Sequence, residues 1–352
     1  MCGKILKMML YTYLLTLLAP LLGGGNSFLN SKLQDGQFFS KDYTTVLKGL
    51  CCLIVIYVHV KKPYGNTLQD AIGSFAYVCV TLFFLVSAYG MMLSVERKKD
   101  YLRNFWRNRL VALLIPAFLI NVVGFGLGIV NRGDYELSAL YHLNNYVAVL
   151  LQWCLWFYIV IWCKERWFPE KKILTDWILI AGVSVSSLSL YLFVDAEVSA
   201  EAGWCFERMG LAWGVLLYRY FDRIVVWMDK HRLVKVIILT IVGGVLGIAY
   251  LKYKTVYFWG AYLLKIILGV TLIALLFTAT SNRKFGDKIS LWLGNVSYEV
   301  YLSHGMVMGT LALWLPQSID SGLFILLTVV VTLALSTMIH SIGKPIVNWM
   351  RV

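Results

Sequence analysis

Apolar residues fall in runs of roughly 20 along nearly the whole chain, parted by short polar loops, and a run of that length crosses a bilayer as one α-helix. The pattern predicts core spans at 46–60, 72–95, 110–130, 143–163, 173–194, 203–220, 233–251, 256–278, 289–315 and 323–341. A further N-terminal segment, 5–22, closes on Gly23, Gly24 and Gly25. The expected fold class is all-α: a polytopic transmembrane helical bundle of ten core spans plus that one segment. No polar stretch is long enough for a soluble domain, so the chain divides into an apolar segment with its loop, 1–42, and one membrane domain, 43–352. No repeat of fixed period occurs, and no Gly/Pro-broken helices stand in matching halves, which is the commonest mark of a secondary transporter.

Charge refines this picture. Charged residues make up 14% of the 352 residues, against about 25% in soluble domains. The formal net charge of +13 does not point to nucleic acid, because the basic residues sit in short loops where they orient a membrane protein and meet anionic lipid. Loops 96–109, 164–172, 219–235 and 283–288 are basic, and the alternate loops are poorer in positive charge, apart from Lys61, Lys62, Lys252 and Lys254. That asymmetry predicts a multi-pass protein of the cell membrane with the basic loops and the C-terminus in the cytoplasm. For these loops to fit, 5–22 reads as a retained span or interfacial helix rather than a cleaved signal peptide, although Lys4 and Lys7 precede it.

Ionisable side chains inside spans are costly and point to function by default. Lys48 and His59 lie 11 residues apart on one short span. At about 100° and 1.5 Å per residue they return to within roughly 20° of one direction, some 16 Å apart along the axis, and so point at one neighbour. His59 reads either as a reactive imidazole or as a side chain snorkelling beside Lys61 and Lys62. Glu207 and Arg208 sit in a Gly- and Trp-rich apolar run and read first as members of a structural ion pair, second as a substrate contact. Ser297, Tyr301 and His304 share a helix face at i, i+4, i+7, as a polar helix contact or as the lining of a path. Ser87, deep in an apolar run, either contacts substrate or bonds its own backbone. Arg103, Arg107 and Arg109 flank a span start as orientation charge or as an anion contact. His142, His231 and His340 lie near span ends with no assigned role.

The seven cysteines, mostly within apolar segments and without any Cys-x-x-Cys pair, read as small packing residues. No His-x-x-x-His or Cys/His cluster suggests a metal, and no phosphate-binding loop occurs.

Four stretches in order resemble the membrane acyltransferase-3 family. They are Lys48-Gly49-Leu50 through Tyr57-Val58-His59; Leu82-Phe83-Phe84-Leu85-Val86-Ser87-Ala88-Tyr89-Gly90; Tyr101-Leu102-Arg103-Asn104-Phe105-Trp106-Arg107-Asn108-Arg109-Leu110, continuing to Pro116; and Val296-Ser297-Tyr298-Glu299-Val300-Tyr301-Leu302-Ser303-His304. The likeness covers 41–341. Lys48 stands where many relatives have arginine, and Ala88 where glycine is usual.

The resemblance implies an integral-membrane O-acyltransferase that moves an acyl group, often acetyl, from acyl-CoA to a hydroxyl of a cell-surface glycan or related envelope molecule, with no metal. Such transfer needs a base, oxyanion donors and exclusion of water. On that reading His59 is the base or a transient acyl relay, with Lys48 and Ser87 beside it as catalytic candidates. Arg103, Arg107 and Arg109 would receive CoA at the cytoplasmic mouth, Arg107 and Arg109 most directly. Tyr301, His304, Glu207 and Arg208 are candidates for the acceptor. The rival from another class is a transporter or exporter of an acylated metabolite or lipid-linked sugar, which the same polar residues would also serve. An envelope glycan polymerase or ligase would need a long extracytoplasmic loop, and none is visible; a non-catalytic envelope scaffold would tolerate loss of both Lys48 and His59.

Overall fold

A computed structural model describes residues 38–60, 63–65, 69, 72–132, 136–194, 204–283 and 285–351. The expected N-terminal segment at 5–22, Lys61, Lys62 and the loop 195–201 lie outside the described residues. Among those described, every regular element is helical. In chain order they are α1 (Lys41–His59), α2 (Tyr77–Arg97), α3 (Phe105–Arg132), α4 (Asn145–Trp167), α5 (Lys172–Phe193), α6 (Met209–Arg219), α7 (Phe221–Asp229), α8 (Arg232–Tyr253), α9 (Lys265–Thr280), α10 (Lys288–Asn295), α11 (Ser297–Trp314) and α12 (Ser321–Met350). A 3₁₀ turn at Leu137–Tyr141 precedes α4, and a π-helical turn at Trp259–Leu264 leads into α9.

Among the described residues, eight helices are long and apolar enough to cross a membrane. The two other expected spans take different forms. Of the expected span 203–220, the described residues 204–220 form a run of turns and then the 11-residue α6, about 16 Å long and too short to cross alone. Segment 289–315 breaks at Val296 into α10 and α11. The interior of α11 holds Ser297, Glu299, Ser303 and His304, which lowers its apolarity. The amphipathic α7 was not expected as a separate element. It lies between loop residues at the basic end, and His231 in the left-handed region (φ 53) turns the chain into α8.

Polar caps set the helix starts. Ser40 accepts from the Tyr43 N–H at 3.2 Å and opens α1 five residues before the expected 46. Asn144, Asp287 and Asp320 cap α4, α10 and α12 in the same way, each satisfying an orphan donor of a first turn. The apolar pattern of α12 continues through Ile346, Val347 and Met350, so this helix passes the expected 341 with Pro345 inside it.

Glycines let the central helices touch. Gly210 and Gly214, four apart on α6, press on the Thr81 and Leu85 carbonyls of α2, the small-x-x-x-small contact of membrane helices. Ala88, at the position where glycine is usual, meets Gly214; the close approach is supplied by the opposite helix. Gly49 of α1 lies against Gly294 of α10, where a Cβ on Gly49 would stand 2.8 Å from the Gly294 nitrogen. These contacts fix α1, α2, α6 and α10 around a core that buries Tyr43, Phe84, Phe105 and Phe157. Leu155, Ile159, Val245, Ile248 and Val330 are exposed on the perimeter, as a lipid-facing surface requires.

The basic ends of the helices are tied together: Lys172 to Glu96 at 3.4 Å, Arg219 to Asp176, Arg107 to the Met350 carbonyl at 2.7 Å, and Tyr43 to Thr280 at 2.6 Å. At the opposite end Trp314 bonds Asn131, and Tyr64 stacks on Phe324.

Candidate functional site

Lys48 and His59 both turn toward α11. Lys48 lies within electrostatic reach of Cys52, one turn further along α1, and of Glu299. The Cys52 thiol donates to the Ser297 carbonyl at 2.9 Å. His59, the last residue of α1, meets His304, the two ring centroids 5.0 Å apart and the planes at 67°. A polar seam therefore runs along the α1–α11 contact, from Lys48 near the basic end to His59 near the other.

The two imidazoles are held alike. His59 Nδ1 lies 2.7 Å from the Val55 carbonyl and His304 Nδ1 lies 2.6 Å from the Tyr301 carbonyl. A carbonyl oxygen only accepts, so each Nδ1 carries the hydrogen, and in the neutral ring Nε2 is the nitrogen with the lone pair. His304 is buried at 9% exposure, whereas His59 is exposed at the end of its helix. Of the two, His59 is the one a solute can reach.

Tyr301 packs on the His304 ring at 5.7 Å and on the Tyr146 ring at 4.8 Å. Ser87 lies beside the Tyr146 hydroxyl. Tyr146 also neighbours Phe84 at 5.1 Å and Trp204 at 6.4 Å. Ser87, Tyr146, Tyr301, His304 and His59 thus form one connected group drawn from α2, α4, α11 and α1.

Two residues that sequence reasoning left without a role join the seam. Glu299 is 5% exposed and accepts from His340 Nδ1 at 2.8 Å through Oε1. Its Oε2 is buried without a partner, a costly state for a carboxylate oxygen. The available signal was an acid inside the fourth motif, Ser-Tyr-Glu-Val-Tyr. His340 sits four helical turns C-terminal to Phe324 on α12, and its partner is invisible in sequence.

Glu207 and Arg208 stand apart from the histidines. Glu207 pairs with Lys265 at 3.6 Å. That ammonium is sandwiched over the Phe206 ring at 3.8 Å and the Tyr77 ring at 4.7 Å. Arg208 donates to the Ser186 hydroxyl at 2.7 Å and the Trp204 carbonyl at 3.3 Å.

The three arginines also separate. Arg109 lines a polar cavity of about 340 Å³ at the basic end with Lys98, Lys99, Asp100, Asn104, Asn108 and Arg351, and donates to the Tyr101 hydroxyl at 3.0 Å. Burial, with a smaller push from Arg109, lowers the Arg351 guanidinium below its usual range, so an anion placed here would relieve repulsion. Arg103 is exposed and Arg107 ties α3 to the end of α12; neither lines the cavity.

A family model described as an acyltransferase domain matches residues 42–341. No curated protein and no solved structure matches the chain.

Proposed function

Because this chain belongs to the acyltransferase-3 family, and so is a membrane acyltransferase, we propose that it moves an acyl group, acetyl in the simplest case, from acyl-CoA to a hydroxyl of a cell-surface glycan or related envelope molecule. The observation that carries this reading is the His59–His304 pair at the far end of a seam that begins at Lys48. Acyl-CoA enters from the basic end, taken as cytoplasmic because positive loops gather there. Its phosphates meet Arg109, Arg351, Lys98 and Lys99, whose cavity holds these four cationic side chains against the one carboxylate of Asp100, a net positive match for phosphate charge. The thioester is carried along the α1–α11 seam past Lys48.

At the other end the acceptor hydroxyl approaches His59. Nε2 of His59 takes the hydroxyl proton. The oxygen forms a bond to the thioester carbonyl carbon, the carbon–sulfur bond breaks, and the departing thiolate takes the proton from the imidazolium to leave as CoA thiol. His304 braces the ring of His59, and Tyr301 with Tyr146 walls the acceptor's approach. Ser87, beside the Tyr146 hydroxyl, acts through it to polarise that wall. Glu207 serves its ion pair with Lys265, leaving the acceptor to the aromatic group.

Purified full chain in liposomes, given acetyl-CoA and a glycan acceptor, tests the reading. Acceptor-dependent release of CoA thiol is expected. Passage of solute without acyl-CoA and without thiol release would replace the enzyme with a transporter. Recovery of protein acylated on His59 would make the imidazole a relay rather than a base.

A further inference from the structure

A second cavity lies at the end away from the basic loops, between α3, the 3₁₀ turn and α11. Two hollows of about 360 and 500 Å³ share Gly124, Phe125, Glu136, Ala139 and Met306 and so form one cleft. Its α11 wall is Leu302, Gly305, Met306, Gly309, Thr310 and Leu313. At about 100° per residue these make a single helix face, centred roughly 170° from His304. The cleft and the histidine seam therefore lie on opposite sides of α11. Glycine keeps the cleft open: a Cβ on Gly128, Gly305 or Gly309 would meet nothing within 4 Å, the reverse of the close contacts at Gly210 and Gly214.

The cleft is wet. Asn121 lies 11 residues before Arg132, the last residue of α3, about 16 Å below that end. Its amide donates to the Leu140 and His142 carbonyls at 3.1 and 2.8 Å. These bonds hold irregular backbone at membrane depth, which is tolerated only against protein or water, and Ser138, Ala139 and His142 are exposed there. Three amides are fixed by one end alone. Asn121 spends its NH₂ on those carbonyls and keeps Oδ1. Asn131 accepts from the Trp314 indole at 2.8 Å and Asn144 from the Tyr146 N–H at 2.9 Å, so each keeps its NH₂. These free ends and the Thr310 hydroxyl have no partner among the described residues, and none is sealed in the interior. Glu136 adds a carboxylate, and no lysine or arginine occurs among the described lining residues, so the cleft repels phosphate. Fixed amide donors and acceptors, a carboxylate and the Phe125 ring suit an uncharged ring bearing hydroxyls, each both donor and acceptor.

We propose that this cleft binds a neutral sugar, its hydroxyls held by Asn121, Asn131, Asn144 and Glu136 and its C–H face laid on Phe125. The site is separate from the seam and its occupancy needs no acyl donor, so it stands whether or not the seam is catalytic.

The test uses the purified full chain in a detergent that carries no sugar, titrated with monoglucosyl diacylglycerol and read by native mass spectrometry. Diacylglycerol with the same acyl chains and phosphatidylglycerol are the controls, and maltose is the water-borne competitor. The glucosyl lipid is expected to be retained and both controls lost. Displacement by maltose at equal concentration supports the sugar site and assigns it to a water-borne glycan; resistance to maltose supports it as a site for a lipid headgroup. Asn131→Leu removes one amide and should weaken binding about fivefold. Gly305→Leu with Gly309→Leu fills the cleft and should weaken binding about tenfold by occlusion. The melting temperature of that double variant should hold or rise, since a helical glycine costs stability. Retention of the glucosyl lipid no greater than that of either control would overturn the sugar. Unchanged affinity in the double glycine variant, at parental melting temperature, would overturn the site itself.

Discussion

His59 and His304 meet edge to face at 5.0 Å, each with its Nδ1 tied to a carbonyl of its own helix. Both rings are therefore held in the tautomer whose Nε2 can accept a proton, and only the His59 ring is exposed. His59→Ala should lower turnover by about 10²–10⁴, the usual contribution of a positioned base, while the protein still inserts. His304→Ala should cost less, since His59 keeps its tie to Val55. Acceptor-dependent CoA thiol release measures both; near-parental turnover in His59→Ala would remove the base.

Arg109 and Arg107 should behave differently. Arg109 lines the basic cavity, whereas Arg107 holds the Met350 carbonyl. Arg109→Ala is expected to raise the KM for acyl-CoA about tenfold, the loss of one charge-assisted hydrogen bond, with kcat little changed. Arg107→Ala should leave that KM alone and lower the melting temperature. Equal KM values in the two variants would assign both arginines to topology.

The glycine contacts make opposite predictions at two positions. A Cβ on Gly294 would collide with the Thr45 carbonyl, and one on Gly90 would meet nothing within 4 Å. Gly294→Ala should destabilise by about 1–3 kcal/mol through overpacking and spread α1 from α10. Gly90→Ala should be neutral or slightly stabilising, because glycine costs helix stability. Melting temperatures of the two purified variants check the contrast.

Asp287 caps α10 at the basic end and gives the chain an acid-sensitive point. Its partial burial works to raise the carboxyl, but hydrogen bonds from the Ser290 side chain and backbone outweigh it and hold the group below the ordinary carboxylate range. A depressed carboxyl stabilises the fold above its unfolded-state value, and that contribution is lost as pH falls through the folded-state value. Asp287→Ala should therefore cost about 1 kcal/mol at neutral pH. The difference in melting temperature from the parent should shrink as the pH is taken below 4, and a constant difference would deny the cap its charge.

The sequence carried the bundle and the α1 face, and it missed what depends on partners from elsewhere in the chain. Repeating apolar runs placed nearly every helix, because a lipid environment demands them. Spacing alone aligned Lys48 with His59, since helical period is local. The break at Val296 was hidden, as was the contact of neighbouring Gly294 with Thr45 of α1, which joins distant segments. Glu299 was visible as an acid in an apolar run, yet His340, Lys265 and Arg351 gain meaning only from the groups folded beside them. The arginine cluster read as uniform in sequence, and only its packing separates a cavity wall from a helix clamp.

His59 closes a helix of 19 residues, so the imidazole stands roughly 27 Å from the first residue of α1. The bundle is thereby a ruler. If the seam carries acyl transfer as proposed, a donor held at the basic end must bring its reactive carbon most of that length to reach the ring, so reach would sort carriers before any chemistry begins.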